Sequence, residues 1–509
     1  MIFAMQLRSA SVVALSAISL LAALGTARLS PHEAIWAQSA REMIASGDLL
    51  IPAIDGRPWL EKPPLGTWLI AASGLAFGRV SEVAARLPSA LAAVLLCLGV
   101  ASIAARRLGP RAGLLAGLVQ ATTPWLIVRG RLAEVDVTLA VLVVGALAAL
   151  DRMRMGSARA RWAFFGLIGA TALAKGIGFG AALVLATAAA VLVWDRDAKA
   201  FRALLSPVGI GLALLIALGW PLLVLMRYPQ AMGLWAMHVT DRFAARPTHF
   251  AGEPLSEYLL GPFLLTLPWT PFALIGGWRS ARRARNERGG LDRLLWAWVA
   301  VPAVLVSLAS ARNGHYLIYA LPPLSIWAAQ ALDRLGDRLR ARGWADRRVA
   351  VAASATFGLL AIGWAIGFAA IGPRLNSRDA ELVFYERAGR LVPVHEPLIL
   401  LYELEGSDRW DREPYSTPFG PVPADLASRL YSLDRRAEWR SGADDLLARP
   451  PAGTFAVIGR ERDLATLERL GRAEVLDRGP ATRWDRAYVL YRVTRPAASP
   501  RAARSAARG

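Results

Sequence analysis

Long runs of apolar residues, separated by short polar segments, dominate the chain up to about residue 372. The first run lies near residues 12–27, and further runs follow at 83–104, 112–128, 135–150, 162–174, 177–194, 206–226, 258–278, 293–310, 315–332 and 349–371. Most are near the roughly 20 residues that a helix needs to cross a bilayer. The pattern therefore predicts a polytopic α-helical membrane domain, residues 1–372, with about eleven transmembrane helices.

The polar segment 28–80 interrupts this pattern after the first run. It contains Ser30-Pro31-His32-Glu33, in which Ser30 and Glu33 have the spacing of a helix capping box. Apolar residues then recur on one helical face, which predicts a short helix along the membrane surface. A cleaved signal peptide is the alternative interpretation of the first run, but the many later runs favour a retained transmembrane helix.

The pattern changes after residue 372. Leu398–Tyr402, Phe455–Ile458 and Tyr488–Tyr491 have the composition of strands, and residues 378–391 and 462–470 that of helices. Residues 373–495 are therefore predicted to form a small α/β domain. The tail 496–509 is rich in alanine, arginine and serine and is predicted to be disordered.

Composition and charge support the membrane assignment. Of the 509 residues, 55% are hydrophobic and 19% charged, and the formal net charge is +20. A soluble protein with this charge would be a candidate for nucleic-acid binding, but here the arginines cluster in alternate loops between apolar runs. The positive-inside rule then places the N-terminus in the cytoplasm and the α/β domain on the outer side of the membrane. Cys97 is the single cysteine, so no intramolecular disulfide is expected.

On this topology, the polar residues that could take part in catalysis or substrate binding converge on the outer face. Transfer of a sugar from a phosphate-linked lipid needs a carboxylate to accept the proton of an acceptor hydroxyl, and cations to stabilise the departing phosphate. Glu33, Asp136 and neutral His32 are the candidate acids or bases. The candidate phosphate-binding residues are Lys62, Arg131, Lys175, Arg312 and Tyr316. Structural alternatives exist: Glu33 as a capping residue, Glu61–Lys62 as a surface ion pair, and Asp136 as a helix start paired with Arg131.

Several motifs resemble the bacterial aminoarabinose (lipid A) transferase family, which is related to the protein O-mannosyltransferases of the GT-C class. The most specific is Glu61-Lys62-Pro63-Pro64 with its flanking residues. The others are residues 41–48, Glu82 to Ser89, Arg131-x4-Asp136, Leu173-Ala-Lys175-Gly, and Ser310 to Pro322. Together they follow the family order through most of residues 28–332.

The resemblance implies a polyprenyl-phosphate sugar donor bound from the membrane and a lipid, glycan or other envelope acceptor on the periplasmic side. It places Lys62 near the phosphate. In some members a divalent metal is bound by the glutamate of the Glu-Lys-Pro-Pro motif and a loop histidine, which here implies Glu61 and His249 as ligands of zinc, magnesium or manganese. Two positions depart from the family pattern: His32 replaces an aspartate and Ile35 an arginine.

The sequence thus predicts a GT-C membrane glycosyltransferase that transfers a hexosyl or pentosyl group. A lipid-linked solute transporter or flippase is one alternative, but transporters often carry paired repeats and charges within their spans, and neither is evident. A non-catalytic envelope assembly subunit is the other, for which His32 and Ile35 are the main arguments.

Overall fold

The computed structural model describes residues 2–236, 255–308, 314–376, 380–401, 415–417, 420–422, 426–480 and 487–496. The chain forms two compact units. The first comprises Met1–Arg28, Ser39–Pro52 and Trp59–Pro373, and the second comprises Leu29–Gln38, Ala53–Pro58 and Arg374–Gly509.

The first unit is built from helices, and one further helix, α2, has residues in both units. In chain order these helices are α1 (Ile2–Leu21), α2 (Pro31–Ser46), α3 (Leu65–Ala76), α4 (Glu82–Leu108), α5 (Pro110–Thr122), α6 (Pro124–Gly130), α7 (Asp136–Arg154), α8 (Ala160–Lys175), α9 (Phe179–Asp195), α10 (Ala198–Leu204), α11 (Pro207–Arg227), α12 (Leu255–Leu265), α13 (Thr270–Asn286), α14 (Leu291–Ser307), α15 (Leu321–Ala341) and α16 (Asp346–Asn376). A 3-10 helix at Gly314–Ala320 precedes α15.

Three helices within the described residues are long and apolar enough to cross a membrane on their own: α4, α11 and α16. Shorter apolar helices lie at Ala10–Leu21, Leu65–Ala76 and Phe179–Asp195. The mostly helical unit with these apolar helices is that of a membrane protein. The count of eleven spans stays a prediction.

Proline accounts for one difference from the predicted runs. The run 112–128 is two helices, α5 and α6, which meet at Thr123-Pro124. Proline lacks the N–H that an uninterrupted helix needs and disfavours helical geometry in the residue before it. The run 258–278 is likewise divided between α12 and α13, and the run 315–332 begins in the 3-10 helix.

Helix α3 is a second difference. Residues 65–76 belong to the predicted polar segment 28–80, but they form an apolar helix that follows Pro63-Pro64 directly. The Glu-Lys-Pro-Pro motif therefore lies immediately before a helix start, where proline is well tolerated.

Small residues allow close helix packing in this unit. A Cβ atom on Gly276 of α13 would lie 2.0 Å from the backbone oxygen of Trp327 in α15. Gly209 of α11 similarly faces the ring of Phe165 in α8, at 2.2 Å for the same hypothetical atom. Glycine at such contacts brings backbones close enough for extensive van der Waals packing, which is a main source of helix association in membranes.

Buried ion pairs connect the helix ends that carry most arginines. Asp195 at the end of α9 accepts hydrogen bonds from Arg293 at 3.1 Å and from Arg154. Arg107 of α4 binds Asp151 of α7 at 2.7 Å. Removing one partner of such a pair would leave a buried charge, which is costly.

The second unit contains a five-stranded sheet. Its strands are β3 (Leu398–Leu401), β6 (Glu438–Arg440), β7 (Thr454–Arg460), β8 (Arg472–Arg478) and β9 (Tyr488–Thr494); β1 (Ala53–Ile54) with β2 (Arg57–Pro58), and β4 (Tyr415–Thr417) with β5 (Gly420–Val422), form separate two-stranded pairs. The order across the sheet is β6-β3-β7-β9-β8. Strand β3 is parallel to β6 and β7, whereas β9 is antiparallel to β7 and β8.

The buried centre of this sheet is apolar and includes Ile399, Phe455, Val457 and Tyr491. Among the described residues of this part, the α-helices are α17 (Ala380–Leu391), α18 (Leu426–Leu433), α19 (Ala443–Ala448) and α20 (Leu464–Glu468). The three predicted strands and both predicted helices are confirmed, with ends that differ from the predicted ones by at most three residues. Strands β6 and β8 were not predicted. Of the predicted disordered tail, residues 497–509 lie outside the described residues.

The α13–α15 contact generates a stability prediction. Gly276→Ala forces backbone to move, because the nearest neighbour is the carbonyl of Trp327 rather than a flexible side chain. We expect a loss of about 1–3 kcal/mol, measured as a lower midpoint of thermal unfolding in detergent. Gly211→Ala in α11 is the matched control, because nothing lies within 4 Å of its Cβ position. Equal midpoints for the two variants would contradict the close packing of α13 on α15.

Candidate active site

Asp136 is the centre of a buried polar cluster in the first unit. It is the first residue of α7, and its side chain is almost fully buried. Lys175 donates to its Oδ1 atom, and so does the hydroxyl of Tyr319 at 3.2 Å. Arg129 donates to Oδ2 at 3.3 Å. The carboxylate therefore holds two cations and a phenol in fixed positions.

Helix ends explain why these charges are stable there. Asp136 lies at the N-terminus of α7 and Lys175 at the C-terminus of α8, so each charge opposes the partial charge of its own helix end. Gly176 ends α8 with φ of 93°, a conformation that glycine adopts without strain. The ion pair joins the two helix ends across 39 residues of sequence.

Aromatic rings surround the ammonium group of Lys175. Its Nζ atom lies 4.4 Å from the ring centroid of Tyr316 and 5.5 Å from that of Phe179. Phe179 in turn contacts Tyr319, with centroids 5.7 Å apart. Ring faces attract a cation, more strongly when water is excluded. The predicted grouping of Asp136, Lys175 and Tyr316 is thus present in the structure, while their roles in substrate binding stay predictions.

Two members of this cluster were missed by the sequence analysis. Arg129 binds Glu134 as well as Asp136, and Tyr319 lies one turn of the 3-10 helix after Tyr316. The signal for Arg129 was a second arginine in the same polar turn as Arg131. The indole of Trp298 donates to the Tyr319 carbonyl oxygen at 2.8 Å, which fixes the backbone at that position.

Arg131 has a different environment from the predicted one. Its guanidinium donates to the carbonyl oxygens of Leu20 at 2.9 Å and Ala23 at 3.0 Å, where α1 ends. It also lies 4.0 Å over the ring of Phe368. Burial, together with the nearby Arg86, lowers the pKa of Arg131 to about 10. The alternative that paired Asp136 with Arg131 was wrong: the partners are Lys175, Arg129 and Tyr319, and Arg131 caps α1 instead.

Glu61 and Lys62 form the ion pair that the sequence analysis gave as their structural alternative. Lys62 Nζ lies 2.6 Å from Glu61 Oε1, and each side chain is about one-fifth exposed. The preceding Leu60 packs with Trp220 and Val224, and Leu173, two residues before Lys175, packs against the same apolar cluster. The Glu-Lys-Pro-Pro motif is therefore adjacent to the end of α8.

His32 and Glu33 lie in the second unit. The backbone N–H and the hydroxyl of Ser30 donate to Glu33 Oε2 at 2.9 and 3.0 Å, which confirms the predicted capping box. Glu33 is buried, whereas His32 is exposed. These hydrogen bonds give Glu33 a structural role, and its role as an acid or base stays a prediction.

Arg312 and His249 lie outside the described residues. Within the described ranges, no group of three or more histidine, cysteine, aspartate and glutamate side chains is arranged to hold a metal ion. The divalent metal stays a prediction, and no chemical step is derived from it.

Comparison with known proteins gives the context of this cluster. Residues 61–222 match the family described as dolichyl-phosphate-mannose-protein mannosyltransferase. Over 354 residues the chain is 32% identical to the undecaprenyl phosphate-alpha-4-amino-4-deoxy-L-arabinose arabinosyl transferase of Edwardsiella ictaluri, an alignment that covers 66% of this chain and 62% of that protein. The protein of the same name from Pseudomonas aeruginosa is 31% identical over 62% of this chain and 58% of its own length.

The resemblance to the aminoarabinose transferase family is confirmed. The fold agrees: the crystal structure of ArnT from Cupriavidus metallidurans bound to undecaprenyl phosphate matches with a TM-score of 0.70 and 19% identity, covering 95% of this chain and 97% of that one. The archaeal oligosaccharyltransferase AglB from Archaeoglobus fulgidus matches with a TM-score of 0.53 and 13% identity, covering 94% of this chain and 74% of that one. The chain thus has the GT-C fold, while its sequence alignments span less than two-thirds of the arabinosyl transferases.

The buried cluster generates a prediction that does not depend on activity. Asp136→Asn removes the carboxylate partner of the buried Lys175, while Arg129 keeps Glu134, so it should lower stability by about 3 kcal/mol. Adding Lys175→Met removes one of these cations and should restore part of the loss. A double-mutant cycle on thermal unfolding in detergent measures the coupling, which we expect to exceed about 1 kcal/mol.

The matched control pairs Asp136→Asn with Lys199→Met, because Lys199 is exposed near the start of α10. This second cycle should show additive effects. Additive effects in the Lys175 cycle would contradict the ion pair.

Proposed function

We propose that this protein is an inverting membrane glycosyltransferase that transfers a sugar from a polyprenyl-phosphate donor to a lipid or other envelope acceptor. The observation that carries the proposal is the buried Asp136–Lys175 ion pair within a GT-C fold. A cation held at that depth by a carboxylate and ringed by aromatic side chains suits an anionic substrate that arrives from the membrane. The similarity to arabinosyl transferases supports the same conclusion.

The chemistry requires stabilisation of a leaving phosphate. The acceptor oxygen forms a bond to the anomeric carbon while the bond from that carbon to the phosphate oxygen breaks. The electron pair remains on the polyprenyl phosphate, and the acceptor proton passes to a base. Lys175 is the principal phosphate ligand in this proposal, with Lys62 as the second, because the apolar cluster containing Leu60 and Leu173 keeps their segments adjacent.

Asp136 has two successive roles in this proposal. Without donor it holds Lys175 and Tyr319 in position. A bound phosphate competes for the ammonium group of Lys175, and a carboxylate that loses a cationic partner becomes a stronger base. Asp136 is then suited to accept the acceptor proton. We do not include Arg131 among the phosphate ligands, because backbone carbonyls at the end of α1 engage its donors.

The donor is proposed to be an undecaprenyl phosphate-linked pentose. The similar proteins are named for undecaprenyl phosphate-alpha-4-amino-4-deoxy-L-arabinose, which is a pentosyl donor. Because His32 and Ile35 differ from the family pattern, the proposal specifies the undecaprenyl phosphate carrier and the pentose, but not the substituents of the sugar. The acceptor is a lipid or glycan of the envelope.

The proposed orientation follows from charge. Arginine-rich helix ends and loops, including residues 106–111, 152–161 and 279–288, lie on the cytoplasmic side by the positive-inside rule. The N-terminus is then cytoplasmic, and the cluster of Asp136 and Lys175, at the opposite ends of α7 and α8, faces the periplasm together with the α/β domain.

A transporter or an assembly subunit is not favoured by the comparisons.

A reconstituted assay tests the proposal. Full-length protein in liposomes is given envelope lipid acceptor and labelled undecaprenyl phosphate-aminoarabinose, or in parallel a labelled undecaprenyl phosphate-hexose, and sugar transfer is measured. Lys175→Met and Lys62→Met should each lower kcat/KM by about 100-fold or more, because each removes a cation from the leaving phosphate. Lys199→Met, at an exposed lysine, is the matched control and should retain wild-type transfer.

Three results would overturn the proposal or its residue roles. If the wild-type protein transfers sugar from neither pentosyl nor hexosyl donors, its assignment as a glycosyltransferase is refuted. If the Lys175→Met variant transfers sugar at the wild-type rate, Lys175 is not the phosphate ligand. Donor translocation without sugar release would instead establish a transporter.

A further inference from the structure

The ends of α13 and α15 carry a second cluster of cations, on the opposite side of the predicted topology from Asp136. The two helices cross where Gly276 meets Trp327, and each continues for seven residues to an arginine, Arg283 in α13 and Arg334 in α15. Arg283 Nη2 donates to Gln330 Oε1 at 2.7 Å, so the two helices are still in contact at that level. The arginines of both helix ends therefore share one surface.

Two arginines of these helix ends are paired with aspartates. Arg283 makes two hydrogen bonds to Asp292, at 2.7 and 2.8 Å. Arg340 is paired with Asp337 and Asp346. Positive charge in excess of these pairs must come from other residues.

Three further arginines, two in α13 and one in α15, contribute to that excess. Among the described residues, Arg279, Arg282 and Arg334 are not in any ion pair within 4.0 Å. The Nη1 atom of Arg334 is buried and, within the part of the chain that the structure describes, has no hydrogen-bond partner. Burial and repulsion from Arg283 and Arg279 lower the pKa of Arg334. A buried donor beside like charges is the environment that an anion would stabilise.

An apolar surface leads directly to these arginines. Leu274, Ile275 and Trp278 of α13 are each about half exposed, and helical spacing places Leu274, Trp278 and Arg282 on one face. The guanidinium of Arg282 lies 3.9 Å over the Trp278 ring. Tryptophan with arginine beyond an apolar stripe is typical of the boundary between acyl chains and headgroups.

We propose that Arg279, Arg282 and Arg334 bind the phosphate group of an anionic membrane phospholipid. The acyl chains of that lipid lie along Leu274, Ile275 and Trp278. A phosphodiester accepts several hydrogen bonds in the planar geometry that guanidinium groups offer, and the apolar stripe gives it a binding contribution that free phosphate lacks. The site is independent of sugar transfer.

Native mass spectrometry of the full-length protein in detergent tests this site. Phosphatidylglycerol is titrated, with zwitterionic phosphatidylethanolamine in parallel. The triple variant Arg279→Gln, Arg282→Gln, Arg334→Gln should bind phosphatidylglycerol about 100-fold more weakly, at roughly fivefold per arginine. Arg282→Gln alone, at an exposed side chain, should weaken binding about fivefold.

A matched control removes the same charge from the same side. The variant Arg152→Gln, Arg159→Gln, Arg202→Gln changes three exposed arginines on other helix ends and should leave the tightest phosphatidylglycerol site intact. If both triple variants lose the same amount of phosphatidylglycerol binding, the effect is non-specific electrostatic attraction and the proposed site is refuted. Equal binding of the two lipids would also overturn it, and so would displacement of the lipid by millimolar inorganic phosphate, which would assign the arginines to a free anion.

Discussion

The ion pair between Asp136 and Lys175 is the interaction on which the candidate site depends. It joins the start of α7 to the end of α8, and each charge is favoured by its own helix end. A single buried lysine or aspartate in a membrane protein would be costly, but the pair, with Tyr319 and Arg129 around it, satisfies both charges. In the proposed function, the same arrangement presents a cation to a lipid-linked phosphate.

Most arginines and two of the three lysines have different positions and different partners. Arginines predominate at the helix ends predicted to face the cytoplasm, where buried carboxylates such as Asp195 connect neighbouring helices. Lys62 and Lys175, by contrast, lie in segments that meet in the apolar cluster around Leu60 and Leu173. An ammonium group is compact and can exchange one partner for another, whereas a guanidinium is better suited to several fixed hydrogen bonds, as Arg131 shows at the end of α1.

Local features were predictable from the sequence, and non-local pairings were not. The capping box of Ser30 and Glu33 depends on residues three apart, and it was found as predicted. Asp136 and Lys175 were both identified as candidates, but their direct contact depends on how α7 and α8 pack. Arg129 rather than Arg131 is a partner of Asp136 because the backbone carbonyl groups at the end of α1 accept hydrogen bonds from the Arg131 guanidinium. No pattern within a single polar turn contains that information.

The most direct test of this account is a cryo-electron microscopy structure of the full-length protein in a lipid nanodisc with undecaprenyl phosphate bound. The account predicts phosphate density within hydrogen-bond distance of Lys175 Nζ, with the carboxylate of Asp136 released from that ammonium group. A phosphate bound elsewhere while Lys175 remains paired with Asp136 would contradict the central claim. Density that places the two side chains apart in the absence of lipid would contradict it as well.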